Sequence, residues 1–274
     1  MAEAKVALVT GASSGIGLDT ARLLQEKGFA VYAVARRLEP MAELAELGVH
    51  TFEMDVTDEG SVTTGIDRIL DETGRIDVLV NNAGYGSYGA VEDVALDEAR
   101  RQFEVNVFGL ARLIQLVVPN MRTRGSGRII NISSIGGKIY EPLGGWYHAT
   151  KFAVEGLSDS LRIELCPFGI DVVIIEPGPI LTEWNAIARE NLVRTSAGGA
   201  YEQRALAMSR FLQAADSPRR GSKPIVVARK IVKAATTARP SARYPVGRGA
   251  GTIVRARKVL PDSMMDAVIS RAVR

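Results

Sequence analysis

Residues 5–17 read Lys5-Val6-Ala7-Leu8-Val9-Thr10-Gly11-Ala12-Ser13-Ser14-Gly15-Ile16-Gly17. The apolar, β-branched run ending at Thr10 has the length and composition of a strand buried on both faces. Glycines at 11, 15 and 17 allow a sharp turn, and helical apolar spacing then continues through Gln25. Strand, glycine-rich turn and helix in immediate succession are what a dinucleotide pyrophosphate needs. The backbone can approach it closely, and the free N–H groups and dipole of the helix N-terminus attract it. Gly11, Ser13, Ser14, Gly15, Ile16 and Gly17 are therefore the candidate phosphate contacts. A glycine-rich turn also arises for purely conformational reasons; the strand before it and the helix after it favour the nucleotide reading.

Working outward, short apolar runs keep alternating with helical patterns. Val31–Ala35 (VYAVA) precedes a predicted helix from Pro40 to Leu47, and VHTFEM at 49–54 precedes one from Glu59 to Glu72. IDVLVNNA at 76–83 leads to a helix from Leu96 to Met121, GRIINIS at 127–133 to a helix from about Trp146 to Leu165, and IDVVIIEPG at 170–178 follows. Such alternation predicts an α/β fold: a doubly wound parallel sheet, the Rossmann arrangement, covered by helices on both faces. The alternation stops after Pro179. Residues 181–224 read as polar helix broken at Ala197-Gly198-Gly199 and around Ser217–Ser222, and are expected to form a substrate-loop region. Ile225–Thr237 reads as helix, Arg243–Val246 as a last strand, and 250–274 as a basic helical tail. Without a long linker, 1–274 is expected to be one domain with a C-terminal helical extension.

Composition limits the function classes. The chain has 274 residues, 46% hydrophobic and 24% charged, as in ordinary globular proteins. No stretch approaches a bilayer span and the opening residues lack a secretory pattern, so a cytoplasmic protein is expected. One cysteine, Cys166, and two distant histidines, His50 and His148, argue against an internal disulfide and against metal chemistry. Asn131-Ile132-Ser133 matches a glycosylation triplet inside an apolar strand and is read as coincidence. Residues 241–274 carry seven basic residues against two acidic ones. Their interleaving with apolar positions, without an aromatic stacking run, favours a solvated helix face over nucleic acid. Pro261 interrupts the tail, so packing over the cleft or on another subunit is favoured over membrane contact.

The second strand bears on the choice of cofactor. Selectivity for NAD commonly uses an acid about 20 residues after the glycine turn. Here the strand ends in Arg36-Arg37, whose guanidinium groups could pair with the 2′-phosphate of NADP. NADP(H) is expected in preference to NAD(H); the alternative is a solvated basic pair. Asp55, with Val56 beside it at the end of the third strand, either accepts from adenine or caps the next turn. Tyr147 and Lys151 stand at i and i+4, on one face of a predicted helix. Free tyrosine titrates near 10, so acting as a base near neutrality requires strong stabilisation of the phenolate, which a lysine in a dehydrated cleft can supply. Ser134 lies at a strand C-terminus, where parallel sheets bind ligands, and Asn106 is a polar residue in an apolar run. Taken singly, Tyr147 reads equally as an amphipathic packing residue and Asn106 as a buried amide.

Together, TGASSGIG at 10–17, NNAG at 81–84, Asn106, Ser134, Tyr147 with Lys151, and Pro177-Gly178 resemble the short-chain dehydrogenases/reductases, in their one-domain branch. The resemblance covers roughly the first 180 residues. It implies that Tyr147 exchanges a proton with the substrate oxygen, that Lys151 holds the nicotinamide ribose and tunes Tyr147, and that Ser134 stabilises the reacting oxygen. Ser133 is the alternative serine. It further implies that Asn106 supports a water in a proton relay, that Asn82-Ala83-Gly84 packs against the cofactor, and that Pro177, Gly178 and Thr182 lie near the nicotinamide. The 81–94 segment and the region after Pro179 look similar to hydroxysteroid and retinol dehydrogenase-like members, so a lipophilic ketone or alcohol is the expected substrate. A homodimer or homotetramer is expected by the same analogy. Two other classes compete: an NADP(H)-binding sensor or scaffold without turnover, which should lack the tyrosine or lysine, and a nucleotide-sugar epimerase, which should have a larger C-terminal domain.

Overall fold

The computed structural model describes residues 4–273, so Met1–Glu3 and the last residue of the basic tail, Arg274, lie outside it. Its strands are β1 (Val6–Thr10), β2 (Ala30–Ala35), β3 (His50–Glu53), β4 (Val78–Asn81), β5 (Gly127–Ile132), β6 (Ile170–Pro177) and β7 (Arg243–Val246). They form one parallel sheet in the order β3-β2-β1-β4-β5-β6-β7. The chain builds outward from β1 in one direction, then returns to β4 and builds in the other. This leaves a crevice at the C-terminal ends of β1 and β4, where open parallel sheets bind ligands.

Alternation along the buried strands separates two cores. Ala7 and Val9 of β1, with Val31 and Ala33 of β2, face α1 (Gly15–Glu26) and α9 (Pro224–Thr236), meeting Ala21, Leu24, Val227 and Ile231. Val6 and Leu8, with Tyr32 and Val34, face the other way, toward α3 (Glu59–Thr73), α5 (Gly109–Arg124) and α6 (Gly145–Leu165). Both faces are therefore covered, which is why these strands read as unbroken apolar runs.

The remaining helices are α2 (Ala42–Glu46), α4 (Leu96–Phe103), α7 (Trp184–Ser196), α8 (Glu202–Ala215), α10 (Ala250–Val259) and α11 (Asp262–Ala272). The helix expected from Leu96 to Met121 extends to Arg124, but its winding changes: Glu104–Phe108, containing Asn106, is a π-helical segment between α4 and α5. Such wide turns accommodate an extra residue and recur at functional sites. The 181–224 region holds α7 and α8, with breaks at the two expected places. Its ends meet: Ile180 bridges Ser222, Leu181 N–H donates to Ser222 O at 2.9 Å, and Ser222 N–H donates to Pro179 O at 3.0 Å. The basic tail packs partly over the cleft, with Val273 against the cluster around Tyr88 and Tyr147 and with Tyr140 donating to Asp266 at 2.8 Å. Arg255, Lys258 and Arg271 are exposed. Among the described residues no helix is long and apolar enough to cross a membrane.

Candidate active site

The glycine turn takes its shape from two left-handed residues, Gly11 (φ +64°) and Gly15 (φ +55°). A side chain on Gly17 would meet the Gly11 carbonyl oxygen at 2.3 Å and Asn82 Nδ2 at 2.6 Å. Asn82 Nδ2 ties the turn to β4 by donating to Thr10 O at 2.9 Å and Gly11 O at 3.1 Å, while Ala12 N–H donates to Val34 O at 3.1 Å. Ser14, the N-cap of α1, makes no side-chain cap bond, so that helix end turns uncapped N–H groups toward the loop. Beside it lies a cavity of about 460 Å³ lined by Ser14, Gly15, Leu181, Thr182, Glu183, Asp216 and Pro224. An uncapped helix N-terminus, left-handed glycines and an adjoining cavity fit a dinucleotide's phosphates.

Around that loop, Arg36 and Arg37 are exposed at the end of β2, and Arg37 makes only a loose 3.9 Å pair with the exposed Glu183. Both guanidinium groups are accessible from solvent. Asp55 forms a local turn, its Oδ1 accepting from Thr57 N–H at 2.9 Å and from Thr57 Oγ1 at 2.8 Å, the capping arrangement. Val56 backs onto Gly109, where a side chain would meet the Val56 carbonyl at 2.6 Å. Ala83 N–H donates to Thr10 Oγ1 at 3.0 Å. Gly84 is packed so that a Cβ there would sit 3.1 Å from Asn106 Oδ1 and 3.7 Å from Lys151 Nζ.

Helix α6 brings Tyr147 and Lys151 together, both buried, with Lys151 Nζ 6.0 Å from the Tyr147 ring centre and donating to Ile132 O at 3.0 Å. Ser134 caps the short turn after β5, its Oγ accepting from Gly136 N–H at 3.0 Å and donating to Pro177 O at 3.4 Å. The same turn lies against Tyr147, whose ring a side chain on Gly136 would meet at 3.2 Å. Ser133 is buried on the far side, its Oγ 2.7 Å from where a Gly137 side chain would start. Gly178 N–H donates to Val246 O at 2.8 Å, and Thr182 packs on Gly15. Asn106 is a buried amide, accepting from Tyr85 N–H at 3.0 Å and donating to Tyr85 O at 2.8 Å and Thr150 Oγ1 at 3.0 Å. These bonds hold the π segment against α6.

Burial shifts the two titrating groups in opposite senses. Tyr147, 7% exposed, is pushed up to about 12 by desolvation; the Ser134 hydrogen bond lowers it and the Glu141 carboxylate raises it. Lys151 is lowered to about 8 by desolvation, opposed by Glu155. The expected lowering of Tyr147 is thus not present in the protein alone, because the lysine charge is turned toward Ile132 and the phenol is shielded from water.

That shield went unanticipated. Trp184 packs at a tilt against Tyr147, 4.9 Å between ring centres, and Tyr88 lies at 5.9 Å. A side chain on Gly86 would meet the indole at 2.1 Å, so this glycine makes room for it. Leu143, Leu192, Met208 and Leu212 extend the apolar cover. Trp184→Ala should bring the Tyr147 titration down from about 12 toward the free value near 10 by readmitting water. Spectrophotometric phenolate titration against a Trp184→Ala/Tyr147→Phe control would measure it; an unmoved midpoint would mean that Trp184 does not desolvate the phenol.

Comparison with known proteins agrees with this architecture. The short chain dehydrogenase family model matches residues 5–192. Across 263 residues the chain is 37% identical to 3-ketodihydrosphingosine reductase of Bacteroides thetaiotaomicron, covering 95% of each. It is 34% identical to NADPH-dependent 3-dehydrocapnine reductase of Ornithobacterium rhinotracheale, covering 96% of this chain and 95% of the relative. Among solved structures, a short-chain dehydrogenase from Streptomyces avermitilis superimposes with TM-score 0.80 at 34% identity, covering 99% of this chain and 96% of that one. An actinorhodin polyketide ketoreductase variant with NADPH gives TM-score 0.73 at 33% identity, covering 89% and 96%. Fold and site define a Rossmann-type oxidoreductase. The chain belongs to the short-chain dehydrogenase family.

Proposed function

We propose that this protein is an NADP(H)-dependent oxidoreductase that interconverts a lipophilic carbonyl compound and its secondary alcohol. The observation that carries this reading is the convergence of Tyr147, Lys151 and Ser134 at the same strand ends as the uncapped glycine turn. When bound, the dinucleotide supplies or accepts the hydride. Gly11, Ser13, Ser14, Gly15, Ile16 and Gly17 would hold its phosphates. Asp55 and Val56 would flank the adenine, Arg36 and Arg37 the 2′-phosphate, and Asn82, Ala83, Gly84, Lys151, Pro177, Gly178 and Thr182 the nicotinamide half. Tyr147 holds the proton delivered to the carbonyl oxygen, Ser134 orients that oxygen, and Asn106 fixes the backbone beside Lys151.

A phenol at about 12 is protonated at neutral pH, so the protein alone is poised as an acid, which suits carbonyl reduction. The apolar cover of Tyr88, Leu143, Trp184, Leu192 and Met208 favours a substrate with a hydrocarbon body. The 3-ketodihydrosphingosine reductase and the NADPH-dependent 3-dehydrocapnine reductase among the relatives support a reductase reading. Exposed Phe108, Phe152 and Ile163 on α6 and the π segment support a homodimer or homotetramer, and a cytoplasmic setting accords with a dependence on NADPH.

The test is turnover of a panel of apolar ketones with NADPH and NADH by wild type, Arg36→Asp and Arg37→Asp. Each charge-assisted phosphate contact contributes about 2 kcal/mol, so each variant should lose roughly 30-fold in kcat/KM for NADPH and change little with NADH. A wild-type preference for NADH would refute the arginine assignment.

A further inference from the structure

Tyr147, Lys151, Glu155 and Asp159 lie one turn apart along α6, and the stripe continues behind the site into a buried ionic cluster. Glu155 is 4% exposed, and its Oε2 accepts from Lys138 Nζ at 2.6 Å and Arg243 Nε at 3.1 Å. Lys138 stands on the turn after β5, and Arg243 on β7 also binds Asp159 at 2.6 Å. Glu176 of β6, fully buried, lies 3.8 Å from Lys138 and 3.4 Å from Arg243. The turn at Gly137 lies flat on α6 between the two functional levels: a side chain there would touch both the Lys151 carbonyl at 3.0 Å and Glu155 Cγ at 2.9 Å. Burying this many charges is costly unless they are paired.

We infer that Glu155, clamped by Lys138 and Arg243, is a positioning residue whose carboxylate keeps the Lys151 ammonium charged behind Tyr147. This rests on the reading of Tyr147 and Lys151 given above. The groups facing the pair are Asp159 and Arg162 on α6, Lys138 on the turn, Glu176 on β6, Arg243 on β7, Lys258 of α10 toward Glu176, and Glu141 toward Tyr147. Lys138 and Arg243 hold Glu155, Arg243 and Arg162 hold Asp159, and burial together with Glu155 pushes Glu176 upward. Deleting an anion leaves a net positive charge beside Lys151, which then sheds its proton at lower pH. Deleting Lys138 does the reverse. Burial already lowers Lys151 to about 8, so loss of the Glu155 charge carries its titration into the neutral range.

The experiment follows Lys151 directly in the full-length protein, by the pH dependence of its side-chain carbon-13 NMR signal in lysine-labelled samples assigned with Lys151→Arg. Glu155→Gln should lower the midpoint by about 1 pH unit, Lys138→Gln should raise it by about half a unit, and Glu155→Asp should restore most of the wild-type value. The alkaline limb of kcat/KM for ketone reduction should move in the same directions. Opposite signs from the two neutral variants are something loss of structure cannot produce. Shifts of the same sign, or unmoved midpoints with lowered melting temperatures, would reduce Glu155 to a packing role and overturn the inference. Lys138→Gln, on a partly exposed side chain, keeps the test open if Glu155→Gln does not fold. If the midpoints move as stated while wild type turns over no ketone, the cluster stands and the proposed reaction fails.

Discussion

Tyr147→Phe is expected to lower kcat for ketone reduction by about 10²–10⁴-fold, the range of a lost general acid, while leaving dinucleotide affinity almost unchanged. The substitution removes one oxygen. The ring keeps its neighbours Trp184 and Tyr88 at 4.9 and 5.9 Å, and Lys151 keeps its bond to Ile132 O. What disappears is the phenol oxygen beside Ser134 and the proton it carries. Stability should change little, because the apolar cover that raises the tyrosine to about 12 accepts phenylalanine readily. Steady-state turnover, paired with calorimetric titration of NADPH, separates the two effects. Retention of more than about a tenth of the activity would remove Tyr147 from the proton-transfer role. Alcohol oxidation, which needs the phenolate, should be slow in neutral solution and accelerate as pH rises.

The second large effect is expected at Gly17. Its Cβ would start 2.3 Å from the Gly11 carbonyl and 2.6 Å from Asn82 Nδ2, and neither can yield, since Asn82 is the tie that holds the turn to β4. Gly17→Ala must therefore push α1 away from β4. Overpacking of this kind costs about 1–3 kcal/mol, and phosphate binding, which depends on close backbone approach, should fall by about two orders of magnitude. Gly28→Ala provides the contrast: nothing lies within 4 Å, so only the left-handed backbone (φ +80°) is penalised. That variant should lose about 1 kcal/mol and no cofactor affinity. Thermal melts with and without NADPH distinguish the pair; equal ligand-induced stabilisation in both would show that the glycine turn does not carry the phosphates.

The sheet was legible because parallel strands buried on both faces must be apolar throughout, as Val6–Thr10 is, and because each was followed by a helical period. The pairing of Tyr147 with Lys151 was legible because a helix repeats every 3.6 residues. The π winding at Asn106 was not, since its partners Tyr85 and Thr150 lie 21 and 44 residues away. Nor was the Trp184 cover, which depends on how 181–221 returns to the strand ends. Glu155 had the right spacing from Lys151 to be noticed, but a glutamate on a helix ordinarily faces water, and only the arrival of Lys138 and Arg243 from other elements makes it internal.

The bridge between Ile180 and Ser222 has an evolutionary corollary. A segment that leaves the body and rejoins it at one point is a closed loop whatever its contents, and doubling the length of such a loop adds only about 0.6 kcal/mol of closure entropy. Helices α7 and α8 can be lengthened, trimmed or exchanged while the sheet beneath keeps its register. Selection can thus retune what the protein recognises by rewriting one cassette, leaving the hydride-handling floor as inherited.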